Sequence, residues 1–246
     1  MRSFVLCVFL LFAVNAGADQ KSQLDQHVKC QAPSGKTYRV LFIGDSITRH
    51  AFNDDTIRDL GWSHTSGMGA SNANTDYSNQ LVSMIAKDRS QEVVKCYHTY
   101  GGSGSVADRV AGLPMVADTK PDLVVLQLGE HDDATTDPAL FHRQYAALVR
   151  QVRAMSSKPK VIAVGPWSLA PLNAKGEYSD GSAAVDREMY GVAIEETLEY
   201  LSIRDMAAIP EAHGWGASEG VRWHPNDLGH SMYAARLFRL YKAVEQ

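Results

Sequence analysis

Short apolar runs alternating with amphipathic stretches constrain this chain more than any other feature. The runs lie at about 38–43, 92–98, 122–128, 160–164 and 200–204. Asp122-Leu-Val-Val-Leu-Gln-Leu128 is the clearest of them. Runs this short and this rich in Val, Ile and Leu read as strands buried on both faces. Helical patterns separate them. One begins at Thr75, with Tyr77, Leu81, Met84 and Ile85 on one face, and a short one ends near Leu113. Pro138 opens another that runs to about Met155, with Phe141, Tyr145, Leu148, Val149 and Val152 on one face. Two more cover Ala183 to Glu199 and Asn226 to Val244. Alternation of this kind predicts an α/β protein, a three-layer α/β/α sandwich around a five-stranded parallel sheet. Loops that follow parallel strands share one edge of the sheet, and ligands gather there.

The 246 residues suit one domain, with no repeat, low-complexity run or linker. Residues 1–18 read as a secretory signal peptide. Arg2 supplies a positive charge, Phe4 to Val14 is nearly all apolar, and Ala16-Gly-Ala18 resembles a cleavage site. That run is short for a bilayer span, and no other stretch is long and apolar enough for stable membrane insertion. An uncleaved anchor is the alternative. The expected domain is residues 19–246, secreted or periplasmic. Losing residues 1–18 removes Arg2 and no acid, so the formal charge goes from -4 to -5. Mild acidity argues against a nucleic-acid partner held through phosphates. Cys7 leaves with the signal, and Cys30 and Cys96 are expected to pair, as in other exported chains. The pair would tie a polar, irregular arm (19–36) to a strand. No close Cys or His flanks them, so no metal is expected.

Gly44-Asp45-Ser46 ends the first strand. Gly44 permits a sharp turn, and Asp45, Ser46 and Thr48 are good helix-entry residues. Ser46 is therefore placed either as a nucleophile at the mouth of a helix or as a plain N-cap. Residues 50–74 form a long loop with a short helix near 52–60, and loops of this length in compact domains are often functional. His64 and Met68 within it are candidates to line a pocket. Gly101-Gly-Ser-Gly-Ser105 and Gly129-Glu-His-Asp-Asp133 follow the second and third strands. Glu130, Asp132 and Asp133 have the look of a metal cluster, but acids at strand ends are usually turn caps. His224, fixed by Pro225 before the last helix, can reach back to the sheet edge as a base for Ser46. His230 reads as structural. Trp167 and Trp223 flank the same edge, as sugar-stacking or apolar walls or as packing.

Four blocks in this order resemble the SGNH subgroup of the GDSL hydrolases, a family of serine esterases and lipases. Gly44-Asp45-Ser46 matches the first and Ser103-Gly104 the second, with Gly102 the second choice. Gly129-Glu130-His131-Asp132 matches Gly-x-Asn-Asp, and His224-Pro225 matches the end of Asp-x-x-His-Pro. The resemblance covers the chain from about residue 38 and implies the flavodoxin-like fold of that family. It also implies roles: Ser46 attacks, His224 takes its proton, and the Ser46 N–H, the Gly104 N–H and His131 hold the oxyanion. No cofactor is implied. Asp45 stands beside the nucleophile as a candidate substrate contact.

Two positions depart from the family pattern. His131 replaces asparagine; an imidazole can donate one N–H, but its charge varies near neutral pH. Val221 stands where the orienting aspartate is expected. Either Glu219 substitutes, if Arg222-Trp223 is a local insertion, or a backbone carbonyl holds Nδ1 in a Ser–His dyad. The resemblance implies an exported esterase for short-chain esters, with O-acetyl groups on carbohydrate the best fit to export. The partner would be a small-molecule or polysaccharide ester. The alternatives are a lipase- or thioesterase-like acyl hydrolase, an acetyltransferase using the same residues, and a catalytically silent carbohydrate-binding domain.

Overall fold

A computed structural model describes residues 28–32, 34–99, 104–167 and 180–246. The signal-peptide reading of residues 1–18, the second-choice oxyanion residue Gly102, and most of the loop at 168–182 lie outside the described residues. Six strands form one sheet: β1 (Val28–Cys30), β2 (Tyr38–Gly44), β3 (Val93–His98), β4 (Leu123–Gln127), β5 (Lys160–Val164) and β6 (Glu199–Leu201). Their spatial order is β1-β3-β2-β4-β5-β6. The pairs from β3 through β6 are all parallel, and β1 pairs antiparallel with β3. The sheet therefore has one strand more than the sequence predicts. The extra strand forms within the arm expected to be irregular, because the β3 edge is open to it and a disulfide pins it there.

That disulfide joins Cys30 to Cys96, which face each other in the β1–β3 register. It closes a loop with a sequence separation of 66 residues. Replacing both cysteines by serine is expected to cost about 2–4 kcal/mol, mostly by freeing the unfolded chain. Scanning calorimetry should show a melting point lower by roughly 5–15 °C, given the shift per kcal/mol for a domain of this size.

Helices cover both faces, as alternating strand residues demand. Leu41, Ile43, Val124, Leu126 and Ala163 pack under α3 (Val106–Gly112), α4 (Pro138–Arg153) and α5 (Asp180–Glu195). Val40, Phe42, Val125, Ile162 and Val164 pack under α2 (Tyr77–Arg89) and α8 (Asp227–Val244). Capping sets the helix starts. Asp76, Asp137 and Asn226 each accept a backbone N–H from the first turn of α2, α4 and α8. Short helices α1 (Asp54–Leu60), α6 (Arg204–Ala207) and α7 (Glu219–Trp223) sit in the connections. Segment 206–223, which shows little pattern in the sequence, thus holds α7. The fifth predicted strand stops early, because Arg204 already belongs to α6.

From β3 to β6 the order is the flavodoxin-like arrangement, whose switch point falls between β2 and β4. Helix connections leave β2 toward opposite sides there, so a crevice opens beyond its carboxyl end. Ser46 stands at that end.

Candidate active site

The nucleophile turn is built from its neighbours. Gly44 has no room for a side chain: a Cβ would lie 2.0 Å from Thr48 Oγ1. Asp45 Oδ1 accepts the Ile47 N–H at 3.0 Å, and the Asp45 carbonyl accepts from Thr48 and Arg49. Thr48 Oγ1 donates to Gln127 on the neighbouring strand at 2.7 Å and bonds the Tyr77 hydroxyl at 2.7 Å. The Met68 N–H donates to the Ser46 carbonyl at 2.8 Å. The expected helix does not follow. The chain makes one turn and then pairs His50 with Ser66, so the first helix waits until Asp54.

His224 approaches from the other side of the crevice. Its N–H bonds the Val221 carbonyl, and its own carbonyl accepts from Gly214 at 2.6 Å. Nε2 lies 2.6 Å from Ser46 Oγ, and Nδ1 lies 2.6 Å from the Gly220 carbonyl. A carbonyl only accepts, so Nδ1 carries the proton and the Nε2 lone pair faces the serine hydroxyl. Both side chains are buried. Of the two sequence readings of the orienting group, the geometry places a backbone carbonyl at Nδ1. Glu219 is exposed, opens α7, and makes no bond to the imidazole. Val221 is fully buried against Trp62 and Met68, so the position that usually carries the acid is part of an apolar cluster.

Burial holds the His224 imidazole at about 4, below its ordinary 6.5; the Gly220 carbonyl and the charge of Asp45 oppose that, and His50 and His230 add to it. The unfolded chain binds this proton near 6.5 and the folded one near 4. Between those values the unfolded state holds more protons, so stability falls as the pH drops through that window. The loss from this group reaches about 3 kcal/mol at its lower end. Urea melts at neutral and acid pH measure it. Activity that uses neutral His224 as base is expected to keep its plateau down to about pH 5 and to fall below that.

The oxyanion candidates stand around the serine loop. Gly104 has φ +101 and precedes Ser105, the N-cap of α3. Neither the Ser46 nor the Gly104 N–H has an acceptor among the described residues. His131 is exposed, and no described residue holds its ring. Asp132 accepts from the Val106 N–H at the start of α3, and Asp133 accepts from Thr135, so both acids act as caps. Among the described residues no group of His, Cys, Asp and Glu gathers to hold a metal ion.

The other candidates are buried or half-buried. Asp45 is buried, and its Oδ1 accepts within its own turn. Met68 is buried against Trp62 and Val221, and His64 packs on Trp62 with Nε2 bonded to the Ala70 carbonyl. Trp167 is a buried strut: its N–H donates to Glu130 and its Nε1 to the Trp223 carbonyl. Trp223 stands edge-on to His224 and lines a cavity of about 540 Å³ with His213, Ala208, Pro210, Glu219 and Arg222. His230 is fully buried, accepting from the Tyr77 N–H and bonding the Met68 carbonyl.

Two buried groups have roles that the sequence does not mark. Arg109 on α3 donates to the carbonyls of Gly44 and Thr99, tying together the ends of β2 and β3. Glu130 accepts from Trp167 with one oxygen and turns the other, buried, toward Asp45. Burial, then the charge of Asp45, raise Glu130 well above the carboxylate range.

The chain is similar to known proteins in family and in fold. The family model of the GDSL-like lipase/acylhydrolases matches residues 42–232. No curated protein sequence matches the chain. Among solved structures, a two-domain esterase (CEX) active on acetylated mannans superposes with TM-score 0.59 at 19% identity, over 96% of this chain and 54% of that one. This chain thus spans about half of that esterase. Axe2, an acetylxylan esterase from Geobacillus stearothermophilus, gives TM-score 0.59 at 20% identity, over 84% and 94% of the two chains. TesA gives TM-score 0.56 at 21% identity, over 83% and 98%. At these identities the likeness is one of fold.

Proposed function

Because this chain belongs to the GDSL-like lipase/acylhydrolase family and is a carboxylic ester hydrolase, we propose that it removes short acyl groups, O-acetyl foremost, from carbohydrate by a Ser46–His224 acyl-enzyme route. The observation that carries the mechanism is the 2.6 Å contact of Ser46 Oγ with an Nε2 whose ring is held from behind by Gly220. His224 takes the hydroxyl proton as Oγ attacks the ester carbonyl. The Ser46 and Gly104 N–H groups, with His131, receive the developing oxyanion. His224 then returns the proton to the leaving sugar oxygen. Water, deprotonated in its turn by His224, releases the acid and restores the serine.

Support for a carbohydrate leaving group is chemical. A cavity against α7 has an aromatic wall, Trp223, whose ring stands edge-on to His224, and a polar rim of Glu219 and Arg222. Stacked aromatics with polar neighbours suit sugar rings, which have apolar faces and hydroxyl edges. Two of the similar structures are described as acting on acetylated mannans and as an acetylxylan esterase. The paired Cys30 and Cys96 suit a secreted or periplasmic chain.

The test has two parts. Rapid-quench mass spectrometry with p-nitrophenyl acetate should find one acetyl group on the peptide holding Ser46. Acetate release should then be faster from acetylated xylan or mannan oligosaccharides than from long-chain esters of equal concentration. Preference for long acyl chains would replace this substrate by a lipase- or thioesterase-type one. Absence of any covalent acetyl with turnover intact would remove the acyl-enzyme route.

A further inference from the structure

A second cavity, of about 390 Å³, opens at the β1 edge of the sheet. Thr48, Ser66, Asp76 and Lys95 form its buried floor, and Lys29, Gln31 and Asn74 its exposed rim. Arg49 enters it three residues after the candidate nucleophile. Nothing in the ester chemistry above uses it.

Its charge is unusual for a buried surface. The Arg49 guanidinium lies 4.6 Å from the centre of the Tyr97 ring, and the Lys95 ammonium lies 5.7 Å from the same centre. Two cations therefore share one aromatic ring. Arg49 Nε and Nη1 are buried and have no hydrogen-bond partner among the described residues. Lys95 Nζ donates to Asn79 Oδ1 at 2.6 Å and to Ser78 Oγ at 3.3 Å, which leaves a third proton. Asp76 is the carboxylate in the lining, and its oxygens already accept from Ser78, Asn79 and Gly67. Lys29 adds a further cation at the rim. Burial holds Lys95 below its usual range, and the charge of Arg49 adds to that against the opposing pull of Asp76. A guanidinium buried with unmet N–H groups is a costly arrangement that an anion would relieve.

We propose that this cavity binds a sugar acid: a carboxylate seated between Arg49 and Lys95, with its ring hydroxyls on the side chains of Thr65, Ser66 and Asn74. The side chains of Thr65 and Asn74 have no partner among the described residues, so they are available to hydroxyl groups. The cavity volume falls within the range that holds small-molecule ligands. The ligand is either a free sugar acid or a uronic acid residue of the carbohydrate chain that carries the ester. The second source rests on the proposed function; binding itself does not.

Calorimetric titration of the purified protein with galacturonate tests binding, with galactose and sulfate as controls. Galacturonate should bind, galactose should not, and sulfate should bind more weakly than galacturonate. Arg49→Gln should weaken galacturonate by about tenfold or more, as loss of a charged hydrogen-bond pair implies. Lys29→Gln, at an exposed site that cannot disturb folding, should weaken it by about threefold through loss of rim charge. No binding by the wild type, equal binding of galactose, sulfate binding as tightly as galacturonate, or an unchanged affinity in both variants would overturn the proposal. The source is read from acetate release. If an acetylated uronic acid oligosaccharide is preferred over a neutral one, and Arg49→Gln removes the preference, the acid belongs to the substrate chain. Galacturonate binding without that preference assigns a free sugar acid. Failure of ester hydrolysis altogether would sink the proposed function while leaving the titration to be read by itself.

Discussion

Ser46→Ala lowers kcat for p-nitrophenyl acetate by about 10⁵-fold, and His224→Ala by a similar factor, if the two act as one nucleophilic unit. The size follows from what each removes. Without Oγ there is no atom to acylate. Without the imidazole, nothing takes the hydroxyl proton. The double variant should be no slower than either single one, because each already disables the same step. Melting temperatures should stay close to wild type, since Ser46→Ala leaves only Nε2 without its 2.6 Å partner. A Ser46→Ala protein that keeps more than about a hundredth of its kcat would end the acyl-enzyme reading. Effects that multiply in the double variant would mean that Ser46 and His224 serve separate steps.

The charge beneath this pair comes from an unexpected place. In a Ser-His-Asp triad the carboxylate sits at Nδ1. Here Nδ1 meets an uncharged carbonyl, and the acid whose charge favours the imidazolium is Asp45, buried next to the serine.

How much of this was legible depended on length and on continuity of pattern. β2, β4 and β5 are each built on a continuous apolar stretch of four or more residues, and α4 and α8 have strong caps and long faces, so local chemistry alone marks them. β1 has three residues, Val-Lys-Cys, and exists only because β3 has a free edge and Cys30 faces Cys96. α7 has five residues and depends on the Ser218 cap, too little signal for any periodicity. The positions of Ser46 and His224 were readable because a strand end and a helix start flank them. The partner of Nδ1 was not, since a carbonyl leaves no mark in a sequence. Glu130 reads as a turn acid until Trp167, far along the chain, closes over it. Trp167 and Met68 could be read as pocket wall or as packing for the converse reason: an aromatic or a methionine in a loop looks the same whether it lines a cavity or fills one.

Val221→Asp puts the acid back where the family pattern has it, and it should damage the protein rather than improve it. Val221 is fully buried with Trp62 and Met68, and partly buried Leu60 packs against them. A carboxylate there loses its water without gaining a partner, because Nδ1 is already held at 2.6 Å by the adjacent carbonyl of Gly220. The expected cost is about 3–5 kcal/mol at neutral pH, the range for an uncompensated buried charge. Its pH dependence identifies the cause. Burial raises the folded-state pKa of the new carboxyl above the unfolded value of about 3.9, so the penalty relative to wild type is small in acid and grows as pH rises. Val221→Ala, which leaves a cavity and no charge, should cost about 1–2 kcal/mol independently of pH. Urea melts of both variants at two pH values separate these cases. A Val221→Asp protein of wild-type stability, with a raised kcat and an acid limb moved up by a unit or more, would show that α7 can turn the new carboxylate onto His224. In that event the Ser–His pair is a triad lacking one member. If stability is lost as expected, the apolar cluster under α7 and the Gly220 carbonyl are a different solution to holding the same ring.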